Sequence, residues 1–108
     1  MDAATKERLA RVHDKSKAAQ QMRYAAVISA VGISKTDLAK AIGQTVQAIT
    51  NSSTPNAANN PSASAMAYLW EHHAIDTRFI LYGYLPGLPS DVSDRIFYAL
   101  SKMQSEWD

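Results

Sequence analysis

Amide and hydroxyl side chains are concentrated between positions 44 and 51 of the chain: Gln44, Thr45, Gln47, Thr50 and Asn51. A side-chain amide can pair with N6 and N7 of adenine, so Gln47 and Asn51 are candidate base readers, with Thr50 beside them. Gln44 and Thr45 come first and would contact phosphate near the start of a helix. The chemistry available here is hydrogen bonding to nucleic acid, provided that one helix presents these side chains together.

The sequence offers little that would support catalysis or metal binding. It contains no cysteine, which excludes disulfides, cysteine-ligated zinc and a thiol nucleophile. His72 and His73 are adjacent, so on a helix they point about 100° apart and make poor partners for one metal ion. Asp, Ser and His occur without a nucleophile elbow, a phosphate-binding loop or a metal-ligand spacing around them. We therefore expect neither an enzyme nor a metal or cofactor.

A short helix and a tight turn are predicted just before the amide-rich stretch. Ser34 can cap the first N–H groups of this helix, and Asp37 suits its positive end. Leu38 and Ala39 give it an inward side. Gly43 is predicted to end the helix, because glycine adopts the left-handed conformation without a Cβ penalty.

A second short helix is predicted at about 45–52. Thr45 would cap this helix, and Val46 and Ile49 would form its inward side. The remaining amides and hydroxyls would then point outward, where a base-reading helix needs them: Gln47, Thr50 and Asn51.

Two matches in the correct order resemble the lambda-repressor-like (Cro/repressor, XRE-type) helix-turn-helix family. Ala39, Gly43 and Ile49, spaced four and then six apart, match its small residue, turn glycine and β-branched residue. Asn60-Pro61-Ser62 then opens a helix, and the segment 75–83 resembles the family's closing segment that ends in glycine. The resemblance covers about Ser34 to Gly83.

The resemblance implies a sequence-specific double-stranded DNA-binding transcriptional regulator, of phage or prophage type, that reads the major groove with the helix at about 45–52. Its base-reading residues would be Gln47, Asn51 and Thr50. Its DNA-backbone contacts would come from a wider set: Gln44, Thr45, Lys35, Lys40, Lys6, Arg8 and Arg11.

Two positions depart from the family pattern. Gln44 and Ser52 are polar where the family has apolar residues. The second helix is therefore predicted to be short or frayed at its end. The loop from Ser52 to Ala65, rich in Ser, Asn and Ala, is predicted to be flexible.

The charge is polarised along the chain, although the formal net charge is only +1. Basic residues dominate the first 24 positions and acidic residues the last 18. The segment 1–17 is predicted to be a basic arm or helix that touches the DNA backbone, with a solvated or partly disordered tail as the alternative.

The next helix, from 18 to 31, would bury Met22 and Ala26. Arg23 and Tyr24 would lie at its outer side, with Tyr24 in a packing role.

The predicted fold class is all-α: a lambda-repressor-like bundle of about five helices, with the N-terminal helix or arm and an extra C-terminal amphipathic helix. Ala65, Met66, Leu69 and Trp70 form the apolar stripe of a helix over 62–73. The predicted domains are the arm (1–17), the helix-turn-helix domain (18–83) and a C-terminal segment (84–108).

Ser90 is predicted to cap the C-terminal helix, whose apolar stripe needs to be covered. The stripe either folds back on the same chain or pairs with a second copy in a homodimer. Its members are Val92, Ile96, Phe97, Leu100, Met103 and Trp107.

Two other functions remain open from the sequence. One is a protein-interaction module, antitoxin- or anti-repressor-like, that keeps the helix-turn-helix as a scaffold. The other is a DNA-binding regulator of transposition.

No apolar run is long enough to cross a bilayer, and the N-terminus lacks the apolar region of a signal peptide. We therefore expect a cytoplasmic, nucleoid-associated protein.

Overall fold

The computed structural model describes residues 1–107, which form seven α-helices and no strand. Residue 108, the last of the segment 84–108, lies outside the described residues. The all-α fold class is confirmed, and none of the described helices is long and apolar enough to span a membrane. The helices are α1 (Ala3–Ala10), α2 (Lys17–Val31), α3 (Lys35–Ile42), α4 (Val46–Ser53), α5 (Ala63–His73), α6 (Thr77–Tyr82) and α7 (Ser90–Trp107).

Local capping residues set most of the helix boundaries, as the sequence predicts. The side chains of Ser34 and Thr45 each accept a hydrogen bond from the N–H group three residues on. Gly32 and Gly43 end α2 and α3 in the left-handed conformation. The predicted cap at Ser90 is wrong, because α7 includes Ser90, and the carbonyl of Pro89 accepts the first bond of the helix.

Helix α2 lies at the centre of the fold and packs against α7, α6 and α4. Met22 and Ala26 are fully buried, as expected. The predicted outer position of Arg23 and Tyr24 is wrong: their side chains are only 0% and 1% exposed. Tyr24 does pack in the core, and its burial raises the pKa of its hydroxyl to about 12.

The Arg23 guanidinium is held in the interior by backbone carbonyls. Its Nε donates to the carbonyl of Ala10 at 2.7 Å, and one terminal nitrogen donates to the carbonyls of Arg11 and Asp14. The other terminal nitrogen donates to the carbonyl of Ile80 at 3.2 Å. Desolvation lowers the pKa of Arg23 to about 10, so the group stays charged at neutral pH. One cation therefore caps the C-terminal end of α1 and ties it to α6.

Gly83, which ends α6, fits closely against the same region. Its φ is +80°, and a Cβ at this position would lie 3.1 Å from the Cα of Val12 and 3.3 Å from Nε of Arg23. The N–H of His13 donates to the carbonyl of Tyr82 at 2.9 Å. Only glycine meets both the conformational and the steric requirement without displacing the Arg23 site.

The N-terminal segment forms the ordered helix α1, which packs on α7. Leu9 and Ala10 are buried, and the Lys6 ammonium lies 5.4 Å from the centre of the Phe97 ring.

The apolar stripe of α7 is covered within the same chain, mainly by α2. Val92, Ile96, Phe97 and Leu100 are buried, and Met103 and Trp107 pack against the core at its edge. Of the two alternatives for this stripe, the structure has the helix folded back. The expected homodimer therefore cannot form through this face of α7 unless the helix leaves the core.

Trp70 corrects the predicted stripe of α5. Ala65 and Leu69 are fully buried and Met66 lies at the core edge, but the Trp70 side chain is 57% exposed. The inward side of α5 is thus narrower than the sequence predicts.

Replacing Arg23 with methionine removes every donor while keeping a similar side-chain length. The carbonyls of Ala10 and Ile80 would then lie in the interior without this partner. Because an unsatisfied buried acceptor costs about 1–3 kcal/mol, we expect Arg23→Met to lower the free energy of unfolding by about 3 kcal/mol or more. Urea denaturation followed by circular dichroism measures this.

The matched control is Arg8→Met, which removes an exposed arginine from α1. It should change the free energy of unfolding by less than about 0.5 kcal/mol. Similar small losses for both variants would show that the carbonyl contacts of Arg23 do not hold α1 and α6 together.

Candidate nucleic-acid interface

Helices α3 and α4 form a compact unit around a glycine turn. Leu38 and Ala39 of α3 and Ile49 of α4 are buried where the two helices meet. At the turn, Gly43 has φ +68°, and the N–H of Gln44 donates back to the carbonyl of Ala39 at 2.9 Å. The small Ala39 and the left-handed Gly43 therefore allow α4 to begin directly after α3.

The buried side of α4 differs from the predicted one. It consists of Ile49, Ser52 and Ser53, spaced as on one helical face. Val46 was expected to point inward, but its side chain is 42% exposed. It lies in the first turn of α4, before that buried face begins. Val46 therefore adds an apolar group to the exposed surface of the helix.

The predicted base-reading residues are brought together on α4 but differ in exposure. Gln47 is exposed, and Thr50 and Asn51 are half-buried. Nε2 of Gln47 donates to Oδ1 of Asn51 at 3.0 Å, so the two amides form one hydrogen-bonded pair. The Thr50 hydroxyl lies 3.4 Å from Nζ of Lys35 on α3.

The residues predicted to contact the DNA backbone do not all lie in this unit. Thr45 and Lys40 are exposed, and Lys35 is half-buried beside α4. The side chain of Gln44 is turned toward α5, where its Nε2 donates to Oγ of Ser62 at 3.1 Å. Gln44 thus connects the turn to the start of α5.

The basic residues of the N-terminal segment belong to a different part of the fold. Lys6 and Arg8 are on α1 and Arg11 follows it, and α1 packs on α7 whereas α4 packs on α2 and α3. The structure therefore does not place these three residues in the α3–α4 unit.

Hydroxyl side chains complete the C-terminal end of α4, which the sequence predicted to be short or frayed. The helix extends to Ser53, with no left-handed cap after it. The hydroxyls of Ser52 and Ser53 donate to the carbonyl of Ile49, and that of Thr54 donates to the carbonyl of Thr50. Three consecutive hydroxyl residues at a helix end were the available signal, because such side chains bond back to carbonyls of the preceding turn.

The loop after α4 is attached to α2, although the sequence predicted flexibility. Gln21 of α2 is buried and donates to the carbonyls of Ala57 and Asn59. Nζ of Lys17 donates to the carbonyl of Ala58 at 3.2 Å. Sequence reasoning missed these residues because a polar residue within a helix is usually exposed.

The α3–α4 unit carries two basic side chains and one acidic side chain, all on α3: Lys35, Lys40 and the exposed Asp37. After Asp37, no Asp or Glu occurs in the sequence before Glu71. Phosphate groups approaching α4 and the following loop would therefore meet no carboxylate from this stretch.

The histidine pair shows no arrangement for a metal ion. The His72 ring lies against the Tyr68 ring, with 4.4 Å between their centres. Within residues 1–107, no group of three or more potential ligands from His, Cys, Asp and Glu is placed to hold a metal.

Comparison with known proteins identifies no relative: no family model, no curated protein and no solved structure matches this chain. An assignment of function therefore depends on the residues and geometry described above.

Replacing Thr45 with valine keeps the side-chain shape but removes the oxygen that accepts the Ala48 N–H at 3.1 Å. We expect the free energy of unfolding to fall by about 1 kcal/mol, as for loss of an N-cap. Thermal denaturation measures the change. The control Thr36→Val alters an exposed threonine within α3 and should change stability by less than about 0.5 kcal/mol. Equal effects would contradict the capping role of Thr45.

Proposed function

We propose that this protein is a sequence-specific double-stranded DNA-binding transcriptional regulator that places α4 in the major groove. The observation that carries the proposal is the α3–α4 unit itself. Two capped helices meet at a left-handed glycine, and the second presents a paired amide face on a stretch free of carboxylates. The resemblance to lambda-repressor-like proteins supports the same reading and favours a phage or prophage type, acting at the nucleoid in the cytoplasm.

In this proposal, Gln47 and Asn51 read one adenine together. Their mutual hydrogen bond uses Nε2 of Gln47 and Oδ1 of Asn51. The other two side-chain atoms of the pair, Oε1 of Gln47 and Nδ2 of Asn51, are then directed to the base. Oε1 accepts a hydrogen bond from N6 of adenine, and Nδ2 donates one to N7. Val46 supplies an apolar contact for a thymine methyl group, and Thr50 has a secondary role beside Lys35.

The proposed phosphate contacts come mainly from Thr45, Lys35 and Lys40. Thr45 stands at the start of α4, where backbone N–H groups also favour an anion. Gln44 contributes through its bond to Ser62 and thus supports the turn. The cations on and after α1, Lys6, Arg8 and Arg11, would add only sequence-independent attraction.

Selection from a random duplex library, at low and moderate salt, identifies the preferred DNA site and tests the proposal. On that site we expect Gln47→Ala to weaken binding by about 1–3 kcal/mol, with little change on a scrambled duplex. Fluorescence anisotropy measures both affinities. Gln104→Ala, which removes a glutamine bonded to Leu100 within α7, is the control and should bind as the wild type does.

Equal losses on selected and scrambled DNA would remove Gln47 from the base-reading set. A wild-type chain that enriches no site, and whose weak binding vanishes as salt rises, would overturn the proposed function.

The DNA-binding proposal includes a homodimer, since such regulators bind paired half-sites about one helical turn apart. With the apolar stripe of α7 buried against α2, the outer side of this helix is left for a second copy. Tyr98 is 63% exposed there, and the Lys102 ammonium lies 5.2 Å from the centre of its ring. Exposed tyrosine is typical of interfaces.

Tyr98→Glu should weaken this homodimer by about tenfold or more, because it replaces the exposed aromatic ring of the proposed contact surface with a carboxylate. Sedimentation equilibrium measures the dissociation constant. The control Ala67→Glu adds the same charge at an exposed position of α5 and should leave it unchanged. A wild-type protein that stays monomeric at every concentration would contradict the dimer but not the reading of a single half-site.

Exposed Trp70 favours a second candidate function, a protein-interaction module of antitoxin- or anti-repressor-like type. A large aromatic side chain left 57% exposed is characteristic of protein interfaces. A stable complex that Trp70→Ala abolishes, together with no enriched DNA site, would favour this candidate. A regulator of transposition would bind DNA in the same way as the transcriptional regulator and is a variant of the first proposal.

A further inference from the structure

A buried glutamine on α2 holds the segment that follows α4. The side chain of Gln21 is only 1% exposed. Its Nε2 donates to the carbonyl of Ala57 at 2.9 Å and to the carbonyl of Asn59 at 2.8 Å. Lys17, one turn earlier on α2, donates to the carbonyl between them, that of Ala58. Three consecutive carbonyls of the loop therefore bind side chains of α2.

The same loop is bonded to the end of α4. The N–H of Asn59 donates to the carbonyl of Asn51 at 2.9 Å. Asn51 in turn accepts the side-chain bond from Gln47. Gln21 thus binds the backbone of Asn59, and the backbone of Asn59 binds the backbone of Asn51, the residue whose side chain belongs to the amide pair.

The chemistry of the site requires a primary amide at position 21. One nitrogen with two protons meets two carbonyls that are two residues apart, and the side chain brings no charge into the interior. A carboxylate of the same shape would repel both carbonyls, and an apolar side chain would leave both without this donor.

We propose that Gln21 is a positioning residue for DNA reading: it fixes the segment 57–59 and, through Asn59, the place of Asn51 on α4. This inference rests on the proposed function, because it assigns Gln21 a role in the specificity of that interface. Gln21 itself lies inside the fold and contacts no DNA. Its loss should affect the selected site much more than scrambled duplex.

The first test is amide hydrogen exchange by NMR, which needs no DNA. Gln21→Met has a similar length and no donor, and we expect the Asn59 amide to exchange at least about tenfold faster than in the wild type. The amide of Ile49, in the core of α4, should keep its protection. Gln104→Met is the control, because the Gln104 side chain donates to the Leu100 carbonyl within α7, and the exchange of Asn59 should stay at the wild-type rate.

The second test is a double-mutant cycle on the selected DNA site. We expect Gln21→Met to lower affinity about tenfold in the wild-type background and to have little further effect when Asn51 is already alanine. A merely structural role would give the same loss in both backgrounds and on scrambled duplex. If Gln21→Met does not fold, Lys17→Met releases the Ala58 carbonyl from an exposed position, and a smaller rise in Asn59 exchange is expected.

The outcomes separate the two proposals. If Asn59 exchange stays at the wild-type rate in both the Gln21 and Lys17 variants, the positioning role is wrong whatever the chain binds. Equal losses in the two Asn51 backgrounds would also overturn it. If the wild type enriches no DNA site, the proposed function fails and the role in specificity fails with it, while faster Asn59 exchange would still show that Gln21 holds the loop.

Discussion

The fold depends on the hydrogen bonds of one buried cation, the guanidinium of Arg23. A guanidinium in the interior must replace its water with hydrogen-bond acceptors, and Arg23 finds them in four backbone carbonyls. Those carbonyls come from the end of α1, from the turn after it and from α6. Arg23 therefore joins segments that are distant in sequence around α2, and Gly83 leaves them the room to meet there.

The opposite side of α2 uses the same principle with a neutral group. Gln21 and Arg23 are two positions apart, so they project about 200° from each other around the helix. Both are buried, and both donate to backbone carbonyls of irregular segments, the loop 57–59 on one side and the turn after α1 on the other. Polar side chains of α2, and not apolar packing alone, thus fix the loops around it.

This arrangement explains which features the sequence could predict. The caps at Ser34 and Thr45 and the left-handed stop at Gly43 depend on residues within four positions, and the sequence located them correctly. The exposure of Val46 and Trp70 depends on which distant element covers each helix, and periodicity carries no such information. Arg23 was misplaced for the same reason, since its carbonyl partners are supplied by other parts of the chain.

The candidate DNA-reading surface is separate from the residues that keep it in place. An eight-residue helix such as α4 is marginal on its own, so its geometry must come from tertiary support. That support is Ile49 against α2 and α3 and the loop held by Gln21. The Ser53 hydroxyl adds a bond within α4 itself. Within residues 1–107, the amides that would meet bases are bonded through their side chains to each other. Side chains on the exposed face can therefore change, and with them the DNA sequence that the proposed interface would read, while the fold beneath stays the same.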